Sequence, residues 1–152
     1  MKTPKFWYKD KSSLKYIFYP LSALWLIGVY FKKFFTKPKK FKVPVICVGN
    51  IISGGSGKTP LTIELAKLFL KKNFVVHVVK KQYKCKNTQD LILINEKSEP
   101  LIVGDEPILI SKIATTWLVK NRKVGIEHAI KKGATLIILD DGYQDFSIKK
   151  DY

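Results

Sequence analysis

VPVICVGNIISGGSGKTPLTIELAKLFLKK, residues 43–72, restricts the fold of this 152-residue chain more than any other stretch. It opens on a β-branched apolar run, VPVICVG, bounded by turn residues, as expected of a strand buried on both faces. Gly54, Gly55 and Gly57 follow as a loop in which backbone amides can turn toward an anion with no Cβ in the way. From Lys58 the pattern becomes helical, with Leu61, Leu65, Leu68 and Phe69 expected on one face. Pro60 suits a first helical turn, whose amides have no partner within the helix. Strand, glycine loop and helix in that order make a phosphate-binding site, because the helix N-terminus adds its partial positive charge.

The phosphate-loop spacing G-x-x-x-x-G-K-[ST] would place its first glycine at residue 52, which is Ile52. The part with the clearest mechanism remains: Gly54, Gly55, Ser56 and Gly57 to cradle phosphate, Lys58 to reach the β- and γ-phosphates, Thr59 to hold Mg²⁺. The bland alternative is a flexible glycine loop with an incidental lysine.

The rest of the chain continues the alternation. FVVHVV (74–79), LILIN (91–95), TWLVK (116–120) and ATLIILDDG (134–142) read as strands, with helices in EPILISKIA (106–114) and RKVGIEHAIKKG (122–133). The pattern predicts an α/β fold, a P-loop NTPase-like parallel sheet with helices on both faces.

Two further places carry chemistry. Asp140 and Asp141 end an apolar strand, where an α/β protein holds a nucleotide's magnesium; a turn or cap aspartate is the alternative. Gly142 is expected to allow a sharp turn that aims Gln144 back at the site. In VGDEP, Asp105 is either a helix N-cap or the carboxylate that receives the proton of an attacking hydroxyl. His77 and His128 show no metal-like spacing and read as structural or exposed. Cys47 and Cys85 lie 38 residues apart, which argues against a zinc site or disulfide framework; Cys47 is expected as a small buried side chain.

Charge divides the chain. The net charge is +16, and residues 1–42 carry 11 of the 28 basic side chains against one acid, Asp10. Residues 43–152 carry 17 basic and 11 acidic side chains. Arg122 is the only arginine, so the composition favours diffuse attraction to an anionic surface over base reading, and no nucleic-acid partner is expected. Within 1–42, YIFYPLSALWLIGVYF (16–31) is uncharged and bracketed by Lys15, Lys32 and Lys33. Sixteen residues with Pro20 inside are short for a span, and no cleavage site for a signal peptide follows. A helix or helical hairpin in the membrane interface suits Tyr16, Tyr19, Trp25 and Tyr30; a helix packed on the protein's own core is the alternative. Residues 1–42 are thus expected as a basic, aromatic membrane-docking segment and 43–152 as the globular phosphate-loop domain, with Lys37-Pro38-Lys39-Lys40 as the hinge between them.

TPKFWY, VICVGNIISGGSGKTP, VGDEP and LDDGYQD together closely resemble the tetraacyldisaccharide 4'-kinase family. That resemblance implies ATP- and Mg²⁺-dependent phosphorylation of the 4'-hydroxyl of a tetraacyl disaccharide 1-phosphate, a lipid A precursor, at the cytoplasmic face of the bacterial inner membrane. It implies Gly54 to Thr59 as the ATP loop, Asp105 as catalytic base with Lys58, and Thr59, Glu106, Asp140 and Asp141 around the metal. It also implies docking of the N-terminal segment on the anionic inner-membrane surface, with no protein partner evident. Members usually carry an SRGYGG-like stretch after the second strand, where this chain has VKKQYKCK (79–86). The family is about twice this length, so the chain reads as truncated, with an open apolar sheet edge and weak or absent transfer on its own. A membrane-associated P-loop ATPase switch is the rival function.

Overall fold

The structure, a computed structural model, describes residues 14–49, 57–82 and 89–152. Gly54, Gly55, Ser56 and Cys85 lie outside the described residues. The chain divides into two compact units, Met1–Lys37 and Pro38–Tyr152.

In the first unit, the uncharged run forms one continuous helix, α1 (Leu14–Phe35), rather than a hairpin. Pro20 lies inside it and removes one backbone donor, while Lys32 and Lys33 in the last turn complement the negative end of the helix dipole. Tyr19, Leu21, Leu24, Trp25, Leu26, Ile27, Tyr30, Phe31, Phe34 and Phe35 are all exposed. Among the described residues, no helix is long and apolar enough to cross a membrane.

The second unit is an α/β sandwich. Its elements are β1 (Val45–Val48), α2 (Lys58–Leu70), β2 (Val76–Lys81), β3 (Leu91–Ile94), α3 (Pro100–Val103), α4 (Asp105–Ser111), β4 (Thr115–Val119), α5 (Arg122–Lys131) and β5 (Leu136–Asp140). The strands lie in the order β1-β5-β2-β4-β3. Four run parallel, and β3 pairs antiparallel with β4, so the sheet is not wholly parallel as the alternation implied. β3 is an edge strand with Leu93 exposed, and a half-covered edge is where an antiparallel strand is accommodated.

Period-two alternation sorts the core onto two faces. Val79, Trp117, Val119, Ile137 and Leu139 pack with Ile126 and Ala129 of α5 on one face. Val76, Val78, Leu136 and Ile138 pack with Ala66 of α2 and Ile110 of α4 on the other. Helices therefore cover both faces. The buried stripe of α2 differs from the expected one: Leu61 and Leu68 are about half exposed, and Thr62 and Ala66 are fully buried. Small side chains one turn apart let this helix approach the strands closely, which a leucine stripe would prevent. Gly125 does the same for α5, since a Cβ there would lie 2.8 Å from a Val119 methyl.

The outer side of β1 is covered by the chain's last residues. Cys47 N–H donates to Tyr152 O (2.8 Å), Asp151 N–H to Val45 O (2.9 Å), and Val45 N–H to the Asp151 carboxylate (2.9 Å). β1 is therefore paired over these positions.

Candidate functional site

Parallel register sets the site. β2 and β5 are neighbours, and Lys80 stands directly opposite Asp140. Residues opposite one another share a sheet face and lie within side-chain reach. Lys80 Nζ accordingly meets Asp140 Oδ2 at 2.5 Å, and Glu106 Oε2 of α4 meets the same ammonium at 2.5 Å. Asp140 is 1% exposed, the Lys80 side chain 15%, and Glu106 62%, so the pair sinks from the surface into the strand end. Burial opposes the charge on Lys80, and the Asp140 and Glu106 carboxylates more than offset it, raising its pKa.

The phosphate-loop helix delivers the second basic group. Gly57 caps α2 at φ 69°, a left-handed backbone that glycine adopts without strain, and Lys58 and Thr59 open the helix. Lys58 Nζ lies 3.4 Å from Asp141 Oδ1. Asp141 itself has φ 56°, so the sharp turn after β5 falls on the aspartate rather than on Gly142 as expected. Gly142 is required for space: a Cβ there would sit 2.9 Å from Leu139 Cβ and 3.2 Å from Cys47 Sγ. Gln144 is exposed.

Asp105 is the first residue of α4 and not its N-cap, which is Gly104 at φ 84° with no side-chain cap. With Asp105 and Glu106 in its first turn, α4 places two carboxylates at the positive end of its dipole. Both line a cavity of about 410 Å³ with Lys80, Lys81, Gln82 and Leu118. The structure thus links Asp105, Glu106, Lys80 and Asp140 through the cavity wall and the Lys80 ion pairs, and Lys58 with Asp141, at the C-terminal ends of β2 and β5.

The oxygen donors assigned to magnesium suit a hard cation in chemistry. Asp140 Oδ1 is buried with no hydrogen-bond partner, as an oxygen kept for a ligand would be. Its other oxygen and Glu106 are engaged by Lys80, and among the described residues no three His, Cys, Asp or Glu side chains form a metal-holding group.

Two residues at this site went unread in the sequence. Lys80 lies in the stretch that departs from the family pattern, and its partner depends on register. Arg122 is nearly buried, donates to the Asp141 carbonyl at 2.6 Å, and faces the Asp145 carboxylate at 3.4 Å. Burial pushes the Asp145 pKa up, but hydrogen bonds from Ser147 and the Arg122 charge outweigh it and leave the group below its ordinary value. This network holds the turn that presents Asp141, and the signal for it was that Arg122 is the only arginine among lysines. His77 and His128 are structural, as read: Trp117 Nε1–H donates to His77 Nδ1 at 3.1 Å, and His128 packs edge-on against Trp117. Cys47 is half-buried against the core, and that burial pushes its thiol up.

Known proteins match along almost the whole chain. A tetraacyldisaccharide 4'-kinase of Parvibaculum lavamentivorans is 34% identical over 156 residues, covering 100% of this chain and 46% of the relative. The Coxiella burnetii enzyme of the same name is 36% identical over 159 residues, covering 99% and 49%. Among solved structures, "apo" form LpxK from Aquifex aeolicus in complex with ATP superposes with a TM-score of 0.77 at 33% identity. That match covers 91% of this chain and 47% of the crystallised one. The chain therefore spans about half the length of the curated relatives it matches. A profile of the tetraacyldisaccharide-1-P 4'-kinases matches residues 14–152, and the chain belongs to that family.

Proposed function

We propose that the chain binds ATP at the N-terminus of α2 and forms the nucleotide-holding, base-bearing half of a kinase acting on a lipid A precursor. The acceptor is the 4'-hydroxyl of a tetraacyl disaccharide 1-phosphate. The observation that carries this reading is the convergence of Lys58, Asp105, Glu106, Asp140 and Asp141 at one end of the sheet, in a chain of this family.

The loop Gly54 to Gly57 and the α2 N-terminus would cradle the phosphates, with the Lys58 ammonium drawing charge from the γ-phosphate. Mg²⁺, held by Asp140 with Thr59, Glu106 and Asp141 as further donors, would neutralise phosphate charge as it shifts toward the leaving ADP. Asp105 stands in the cavity wall, exposed and able to accept the proton of the 4'-hydroxyl as its oxygen bonds to the γ-phosphorus. Peripheral docking on the anionic cytoplasmic face of the inner membrane is part of the same proposal; the exposed aromatic and apolar side chains of α1, with Lys32 and Lys33, support it.

The test is ATP binding by calorimetry, with γ-phosphate transfer followed with and without the tetraacyl disaccharide. ATP should bind, and Lys58→Met should weaken binding roughly tenfold or more, a loss of about 1.4 kcal/mol. Any transfer should depend on the lipid and vanish in Asp105→Ala. Failure to bind ATP would refute the proposal, and lipid-independent hydrolysis that survives Asp105→Ala would favour an ATPase switch.

A further inference from the structure

We propose that Lys80 is a built-in cation at the divalent-metal position of this site, competing with the metal for Asp140 and Glu106. The inference rests on the nucleotide-site reading above and concerns how that site takes its metal.

The geometry carries it. Lys80 Nζ bridges carboxylates from two different elements, β5 and α4, at 2.5 Å each. Metals bridge carboxylates in the same way, and here an ammonium on a strand-anchored stem takes that place. The direct register of Lys80 opposite Asp140 keeps the stem aimed at the carboxylate. The buried, partnerless Asp140 Oδ1 is the one acceptor of that carboxylate not engaged by Lys80, so a divalent ion finds a single free oxygen there while Lys80 stays. For full coordination the ion has to displace the ammonium, because two cations cannot share these oxygens without strong mutual repulsion. The Lys80 side chain is mostly buried, so its head leaves Asp140 only by way of the cavity it lines beside exposed Glu106. Divalent ions are therefore expected to bind weakly, so the metal role proposed above for transfer calls for a high divalent concentration, and ATP binding itself should depend little on them. Lys58, which pairs with Asp141, remains for the phosphates.

Mn²⁺ titration of the 152-residue chain, followed by electron paramagnetic resonance with and without ATP, tests this. Lys80→Met keeps the stem and removes the charge; it should bind Mn²⁺ at least roughly tenfold more tightly than the unaltered chain. The double variant Lys80→Met/Asp140→Asn should lose that gain. Mn²⁺ should also raise the melting temperature of Lys80→Met and leave that of the unaltered chain in place. Equal or weaker Mn²⁺ binding in Lys80→Met overturns the inference and leaves the nucleotide-site reading standing. If Lys80→Met does not fold, the unaltered chain decides: tight, micromolar Mn²⁺ binding that Asp140→Asn abolishes overturns the inference, and weak binding that ATP scarcely improves supports it. No Mn²⁺ binding by any form, together with no ATP binding, defeats both.

Discussion

A methyl group added at Gly142 would press on Leu139 at a distance that real Cβ atoms hardly ever show, and crowd Cys47. Both neighbours sit in a packed sheet face, so neither can yield cheaply. Gly142→Ala should cost roughly 1–3 kcal/mol through overpacking, read as a melting temperature lowered by several degrees. His77 makes a different demand. Burial, helped by the His128 charge, lowers its pKa below the ordinary 6.5. Between the folded value and 6.5 the unfolded chain binds the proton more readily, so stability is full above 6.5 and falls as the pH drops through that window. Denaturation midpoints measured against pH should show this loss, and His77→Gln should flatten it. At this scale the sequence was readable where chemistry is local: Asp140 and Asp141 end an apolar run, and Lys58 ends a glycine loop. Lys80 was not, because alternation tells which face a strand residue occupies but not which residue stands opposite.

Among the elements, α2 shows where periodicity misleads. Leu61, Leu65, Leu68 and Phe69 share a helical face in sequence, yet Thr62 and Ala66 are the residues fully buried, since the sheet selects for small side chains at closest approach. Thr62 Oγ1 is buried without a partner, so Thr62→Val, which keeps the shape, should be neutral or stabilising in thermal melts. Leu61→Lys, on the exposed side, should shift the melt by no more than about 0.5 kcal/mol. For α1 the sequence located the uncharged run and its flanking lysines, and the helix follows from them. Docking on a surface is expected to show as co-sedimentation with anionic vesicles that falls as salt rises, because the lysine contribution is screened. Trp25→Ser should weaken it further by removing an exposed aromatic anchor.

Taken whole, the second unit is a sheet whose centre is settled and whose two margins differ. β3 closes one margin with an antiparallel strand, a choice that hydrophobic pattern could not reveal because both directions bury the same residues. β1 forms the other margin, and it is also the strand from which the glycine loop departs. Its partner there is the dipeptide Asp151-Tyr152. The amides of Val45 and Cys47 therefore report on events at residues 151 and 152, more than a hundred positions away in sequence. In deuterium exchange, these two protons should keep a slow clock only while Asp151 and Tyr152 stay laced to them.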